Sequence, residues 1–496
     1  MSTGRKRSRR SATGGGPSKG APVPAAAQAA TPSPGGSGAE ASPAWARVRT
    51  ALARVRLEYV FLVIALAWGV PQVFLVPPLQ VPDEEAHWFR AWAMTEGQVT
   101  AARDGTLTLP AGFARIDDLY TRLAATVGRL PVSLEGQPNF SGYADLFNTP
   151  APGTVKVVSR VANYSPVGYL PQAVGIGLGR LAGASPLTCF YLARLANLLA
   201  AVTLLFFAVR LAPFGKQLLA LVALLPMTMF ELASLSCDAL TLSGAIFFTA
   251  LVLWASKKAT LRAADVAAII VTAAVLLTVK PGYWAMVLLV LLVRPPQLGG
   301  RARYWAFAAG SALAVAGTAL LIFVLSSTTA HMGTAAGPQA QLLFIAHQPL
   351  SFARILWDNL QNGLLDWTLG TVGTLGWLTI ALPQTFSLFV IVAGLVFFMG
   401  MQEETGLRTW QRLVFAGVAV AVFLTLAVAL YAFLEPAGSQ RVFFQGRYLG
   451  PIWLLLMLSA YGVRFVHRYR RTLFIIAVFL VIMVENLYVL VSRYHP

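Results

Sequence analysis

Charge is the scarcest thing in this chain. Only 12% of its 496 residues are Asp, Glu, Lys or Arg, about half the share a soluble domain carries. Acids are scarcer still, 20 against 38 bases. Cysteine is nearly absent, with Cys189 and Cys237 alone. Two thiols exclude a disulfide framework and a cysteine zinc site. They read as small apolar fillers, although a topology that places both near one surface would allow a single bridge. No apolar stretch closely follows the first basic cluster, so a cleavable signal peptide is not expected. No internal repeat is visible, which weighs against an inverted-repeat transporter.

Long apolar runs fill the place of the missing charge. Hydrophobic residues make up 57% of the chain, and the mean hydropathy is +0.65. A spanning helix needs about 20 mostly apolar residues. Runs of that kind lie at about 57–76, 187–211, 216–232, 238–256, 263–279, 282–293, 304–325, 383–400, 411–434, 448–464 and 472–491. They predict an all-α polytopic membrane protein with roughly eleven transmembrane helices. The 282–293 run is short and weak, and 166–182, broken by Pro166 and Pro171, reads as a helix lying on or dipping into the membrane.

The net charge of +18 could suggest nucleic acid, but its distribution argues otherwise. Residues 1–56 hold ten Lys or Arg against Glu40, half of the whole excess. Residues 1–50, rich in Gly, Pro, Ala and Ser, read as a disordered, basic cytoplasmic tail, and 51–496 as the transmembrane domain. Most other bases lie in short loops between runs: Arg210 and Lys216; Lys257, Lys258 and Arg262; Arg294, Arg301 and Arg303; Arg408 and Arg412; Arg464, Arg468, Arg470 and Arg471. No basic face is interleaved with aromatics. Membrane lipid is the expected partner, and nucleic acid is not. With the N-terminus inside, every basic cluster falls on the cytoplasmic side, which puts the C-terminus outside. Two large loops, 77–186 and 326–382, then face outward and carry short interfacial helices. One amphipathic stretch in the second runs from Phe352 to Leu365. Long ordered loops are usually functional.

Ionisable groups inside spanning segments are functional candidates by default. By depth, Arg194, Glu231, Asp238, Lys280 and Glu485 all sit in the outer third of their spans or at outer ends. None falls at mid-depth, where an ion-coupled transporter would hold some. The sharpest local signal is Pro82-Asp83-Glu84-Glu85-Ala86-His87. Pro82 favours extended geometry before it, and Asp83 suits the N-cap of a short helix. Asp83, His87 and Arg90 then share one face. The plainer reading is a capped interfacial helix. One His with nearby acids is not a zinc motif. A second signal is Gln445-Gly446-Arg447-Tyr448, preceded by Arg441. There an Arg at the membrane boundary could grip a phosphate with its planar fork and Gly446 would permit close backbone approach; its plainer reading is an interfacial anchor. A third is Ser234-Leu235-Ser236-Cys237-Asp238, which also reads as a polar turn with Asp238 as N-cap.

An apolar first helix, then P-x-D-E-x-x-H from Pro82, then S-x-S-x-D-A-L from Ser234 to Leu240, then Q-G-R-Y from Gln445 resembles the bacterial membrane family called domain of unknown function 2142. The resemblance covers about residues 57–490 and leaves out the tail. That family is similar in layout to the C-type glycosyltransferase superfamily, whose members carry an acidic motif near the start of a large first outer loop. The resemblance implies a bacterial plasma-membrane enzyme that takes sugar from a polyprenyl-phosphate-type donor, inverts the anomeric carbon, and passes it to an envelope glycan, lipid or protein. Asp83 would be the base, with Glu84 and His87 beside it. Arg90, Asp238, Lys280, Gln445, Arg447 and Tyr448 would bind substrate. The resemblance implies no particular cofactor for certain, and a divalent cation is an option near Glu84, His87 or Asp238. The alternatives are a lipid or polysaccharide transporter and a non-catalytic protein of envelope assembly.

Overall fold

The computed structural model describes residues 56–102, 105–126, 140–159, 161–162, 164–327, 337–378, 380–400, 403–436, 438–462 and 471–495. The expected tail at 1–50, and Arg464, Arg468 and Arg470 of the basic pattern, lie outside them. The chain is mostly helical. Its helices are α1 (Leu57–Leu75), α2 (Glu84–Thr95), α3 (Phe113–Thr126), α4 (Phe140–Asn148), α5 (Leu170–Leu181), α6 (Pro186–Leu211), α7 (Lys216–Ala223), α8 (Pro226–Leu232), α9 (Asp238–Lys257) and α10 (Ala263–Val279). After a 3-10 stretch at Pro281–Leu292 come α11 (Arg301–Ser327), α12 (Gly337–His347), α13 (Pro349–Gly373), α14 (Gln384–Gly400), α15 (Thr409–Leu434), α16 (Gly450–Ala460) and α17 (Arg471–Tyr494).

Among the described residues, six helices are long and apolar enough to cross a membrane: Leu57–Leu75, Pro186–Leu211, Asp238–Lys257, Arg301–Leu321, Thr409–Leu434 and Ile476–Tyr494. The remaining expected spans are shorter or broken; those at 263–279 and 383–400 form helices of 17 residues each. The run at 216–232 is two helices, because Pro226 lacks an amide proton and Leu225 before it is extended. The run at 282–293 is 3-10 rather than α. The run at 448–464 yields only Gly450–Ala460, after a 3-10 turn at Gly446–Leu449. By contrast, α6 starts where the sequence supplies both a cap and a proline. Ser185 Oγ accepts from the Thr188 amide at 3.3 Å, and Pro186 occupies the first turn.

The first large loop is not purely helical, which corrects the all-α expectation. Strands β1 (Thr106–Pro110) and β2 (Thr154–Val158) pair antiparallel, with Thr106 opposite Val158 and Pro110 opposite Thr154. The signal was present in the alternation of Thr-Leu-Thr-Leu, which buries Leu107 and Leu109 and turns Thr108 outward. A second short pair joins Thr374–Leu375 to Ile380–Ala381. The first loop also has its own apolar core. Trp88, Phe89 and Phe113 from α2 and α3 meet Phe147 and Phe190 from α4 and α6. This core holds α2 against the first turns of α6. The two cysteines are free and buried, as apolar fillers would be.

Candidate functional site

The acidic motif is built on a buried ion pair. Arg194 of α6 grips Glu84 with two parallel bonds, Nε to Oε1 at 2.8 Å and Nη2 to Oε2 at 2.6 Å. Both side chains are fully buried. The remaining Arg194 donors reach the carbonyls at the frayed end of α1: Val73 at 3.0 Å, Val76 at 2.6 Å and Pro77 at 3.1 Å. Glu84 also accepts from the amides of Leu79 at 3.0 Å and Leu235 at 3.3 Å. One carboxylate therefore ties α1, α2, α6 and the Ser234–Asp238 loop together. A carboxylate with so many fixed partners is suited to holding structure rather than to moving protons.

Asp83 does not cap α2 in the expected way. It occupies the N-cap position, but in the left-handed region with φ 58° and ψ 17°, and its side chain makes no capping bond. Asp tolerates that region better than most residues, and such outliers gather at functional sites. His87, one turn on, is buried and paired through Nδ1 with the Tyr169 hydroxyl at 2.7 Å. Burial pushes the His87 imidazole down to about 4, against the opposing pull of Asp83 and Asp238, so it is neutral at pH 7. Asp83, Asp238, Arg447 and Lys280 all act on this imidazole, which brings residues from four distant stretches of sequence into one electrostatic neighbourhood. Arg90 faces elsewhere. Its guanidinium donates to the carbonyls of Gln98 at 3.1 Å, Val99 at 2.6 Å and Tyr164 at 3.1 Å, and so clamps the loop.

The second half of the site is a charge network at the ends of α8, α9, α10 and α16. Asp238 is the first helical residue of α9 rather than its cap. Ser236 Oγ takes the Asp238 amide at 3.1 Å instead, which leaves the carboxylate for other work. Asp238 Oδ1 receives Lys280 Nζ at 2.5 Å, and Oδ2 lies 3.5 Å from Arg447 Nε. Arg447 Nη1 donates to Glu231 Oε1 at 2.9 Å. The ring of Tyr448 lies under both cations, with its centroid 4.6 Å from Lys280 Nζ and 5.3 Å from the Arg447 guanidinium carbon. Three buried polar atoms here have no hydrogen-bond partner among the described residues: Glu231 Oε2, Arg447 Nε and Gln445 Oε1. Buried polar atoms are normally satisfied; such exceptions also occur elsewhere in the fold, as at Gln72, Asn197 and Trp453. Gly446 does permit close approach, but to protein. A Cβ there would collide with the backbone of Gly370 and Thr371, and Thr371 Oγ1 donates to the Gly446 carbonyl at 2.9 Å.

A family model described as predicted membrane protein (DUF2142) matches residues 66–456. The chain belongs to the DUF2142 family. No curated protein and no solved structure matches it. The DUF2142 match spans all three motifs, and one charged residue from each, Asp83, Asp238 and Arg447, acts on His87. Sequence reading missed Tyr169 and the site role of Glu231, because nothing local marks a residue whose partner is 82 or 216 positions away. Among the described residues, no three His, Cys, Asp or Glu side chains converge as a metal-binding set.

Proposed function

We propose that this protein is a membrane glycosyltransferase that moves sugar from a polyprenyl-phosphate-type donor to an envelope acceptor. The observation that carries the reading is the pairing of Lys280 and Arg447 with Asp238, in the same electrostatic neighbourhood of His87 as Asp83. Lys280 follows α10 and Arg447 precedes α16, both apolar helices, and in this reading the phosphate of a membrane lipid reaches that level. Asp238 and Glu231 hold them in place and limit the cost of burying them. A donor phosphate would take over contacts that the Asp238 carboxylate makes.

The chemistry then follows from charge. Asp83 accepts the proton of the acceptor hydroxyl. The freed oxygen attacks the anomeric carbon, and the bond from that carbon to the phosphate oxygen breaks, its electron pair leaving with the phosphate. Lys280 and Arg447 stabilise the negative charge that develops there. A single displacement inverts the carbon. His87, neutral and fixed by Tyr169, orients the acceptor. Gln445 and Tyr448 shape the donor side. In this reading the membrane is a bacterial plasma membrane, and the site faces outward.

The test is transfer from a labelled polyprenyl-phosphate sugar by purified protein in nanodiscs. Arg447→Lys keeps the charge but loses the planar fork. It is expected to lower turnover over apparent affinity by about 10-fold or more, the scale of one charge-assisted contact. Unchanged transfer in this variant would remove Arg447 from the donor site. No transfer from any lipid-linked sugar by intact wild-type protein would favour a transporter.

A further inference from the structure

A second site lies along α13. A groove of about 350 Å³ runs between this helix and the extended segment Gln440–Phe444, within the size range of small-ligand pockets. Its helix wall carries Asp358, Asn362 and Asp366 at four-residue spacing, all three exposed. Its floor is Trp367. The ring lies back over Gly363, where a Cβ would come within 2.7 Å of it, and packs against Phe444 with centroids 5.1 Å apart. Asn359 fixes the opposite wall, donating to the Gln440 carbonyl at 2.8 Å and accepting from the Val442 amide at 3.1 Å. Arg441 stands in that wall, exposed. Among the described residues, the side chains of Asp358, Asp366 and Arg441 form no ion pair.

The chemistry of the lining selects its ligand. Two acids against one base disfavour a phosphate. The lining is too polar for an acyl chain. Sugar hydroxyls both donate and accept, and so suit a mixed set of carboxylate, amide and guanidinium. The apolar face of a sugar ring suits a half-exposed indole. The exposed apolar stripe of α13, at Leu350, Trp357 and Leu364, falls on the side of the helix away from Asn359 and Gly363. The groove wall continues along the chain into the charge network: Phe444 precedes Arg447 by three residues, and Gly446 is bonded to α13.

We propose that this groove binds a stretch of carbohydrate chain and holds the acceptor glycan. Only the word acceptor rests on the transferase reading; carbohydrate binding does not. The experiment screens full-length protein in nanodiscs against an array of neutral and acidic pentose and hexose oligomers. The strongest hit is then titrated by saturation-transfer NMR. Asp358→Ala, Asp366→Ala and Arg441→Ala change exposed side chains and leave the fold intact. Each is expected to weaken binding about tenfold or more, as loss of a charge-assisted hydrogen bond does. Absence of binding by every oligomer would overturn the proposal, as would equal binding by wild type and all three variants. Binding of lipid-linked monosaccharide alone would also overturn it, because it would put the donor in the groove. Transfer measured on the same preparation keeps the two readings apart: glycan binding without transfer would leave a binding groove and remove the acceptor role.

Discussion

His87 shows how burial sets a residue's chemistry. Its imidazole titrates near 4 in the fold and near 6.5 when exposed. Between those values the unfolded chain binds the proton that the folded chain refuses. Stability is therefore full above about 6.5 and falls as pH drops toward 4, by at most about 3 kcal/mol from this one group. Thermal unfolding in detergent at pH 7, 5.5 and 4.5 should show that loss in wild type and a shallower one in His87→Gln. Identical slopes would mean that the imidazole is not buried as described. Little of this was legible in the sequence. The spacing of Asp83 and His87 on one helical face was readable, but burial and the Tyr169 partner depend on residues far along the chain. Asp83 itself was read as a cap because Asp favours that position. The left-handed backbone that replaces the capping geometry there is a tertiary effect.

At the scale of elements, ion pairs join what the sequence separates. Glu84 and Arg194 connect three helices and a loop, and Arg447 connects α8 to the turn before α16. Removing one partner of a fully buried pair costs about 3–5 kcal/mol, because the other charge is left unpaired. Glu84→Gln should therefore lower protein abundance and melting temperature well before any effect on chemistry can be read. Arg194→Ala should do the same, and the double variant should cost less than the sum of the two. Strict additivity would show that the pair does not act as a unit. Helix starts and breaks were readable where a proline or serine marks them, as at Ser185–Pro186 and Pro226. The 3-10 form of Pro281–Leu292 was not, since its apolar composition suits a helix of either kind. The strand pair in the first loop was readable in its alternation, and was obscured by the surrounding helical runs.

At the scale of the molecule, the membrane character was legible throughout, since composition and run length need no tertiary information. Orientation follows in our reading from the one-sided placement of Lys and Arg. Reporter fusions after Arg262 and after Pro496 should lie on opposite sides, cytoplasmic and external. Agreement between them would change the parity of the span count. The gathering of Asp83, His87, Asp238 and Arg447 was expected only as a motif order, and in the fold Lys280, read from the sequence as a candidate apart from the motifs, joins them around the imidazole. That gathering is the basis for assigning chemistry, and Asp83→Asn tests it most directly. Asn tolerates the same left-handed backbone, so the variant should accumulate and melt like wild type. It has no carboxylate to take a proton. Transfer from a labelled polyprenyl-phosphate sugar should fall by about 100-fold or more, the usual contribution of a general base. Transfer at the wild-type rate by folded Asp83→Asn would contradict the account.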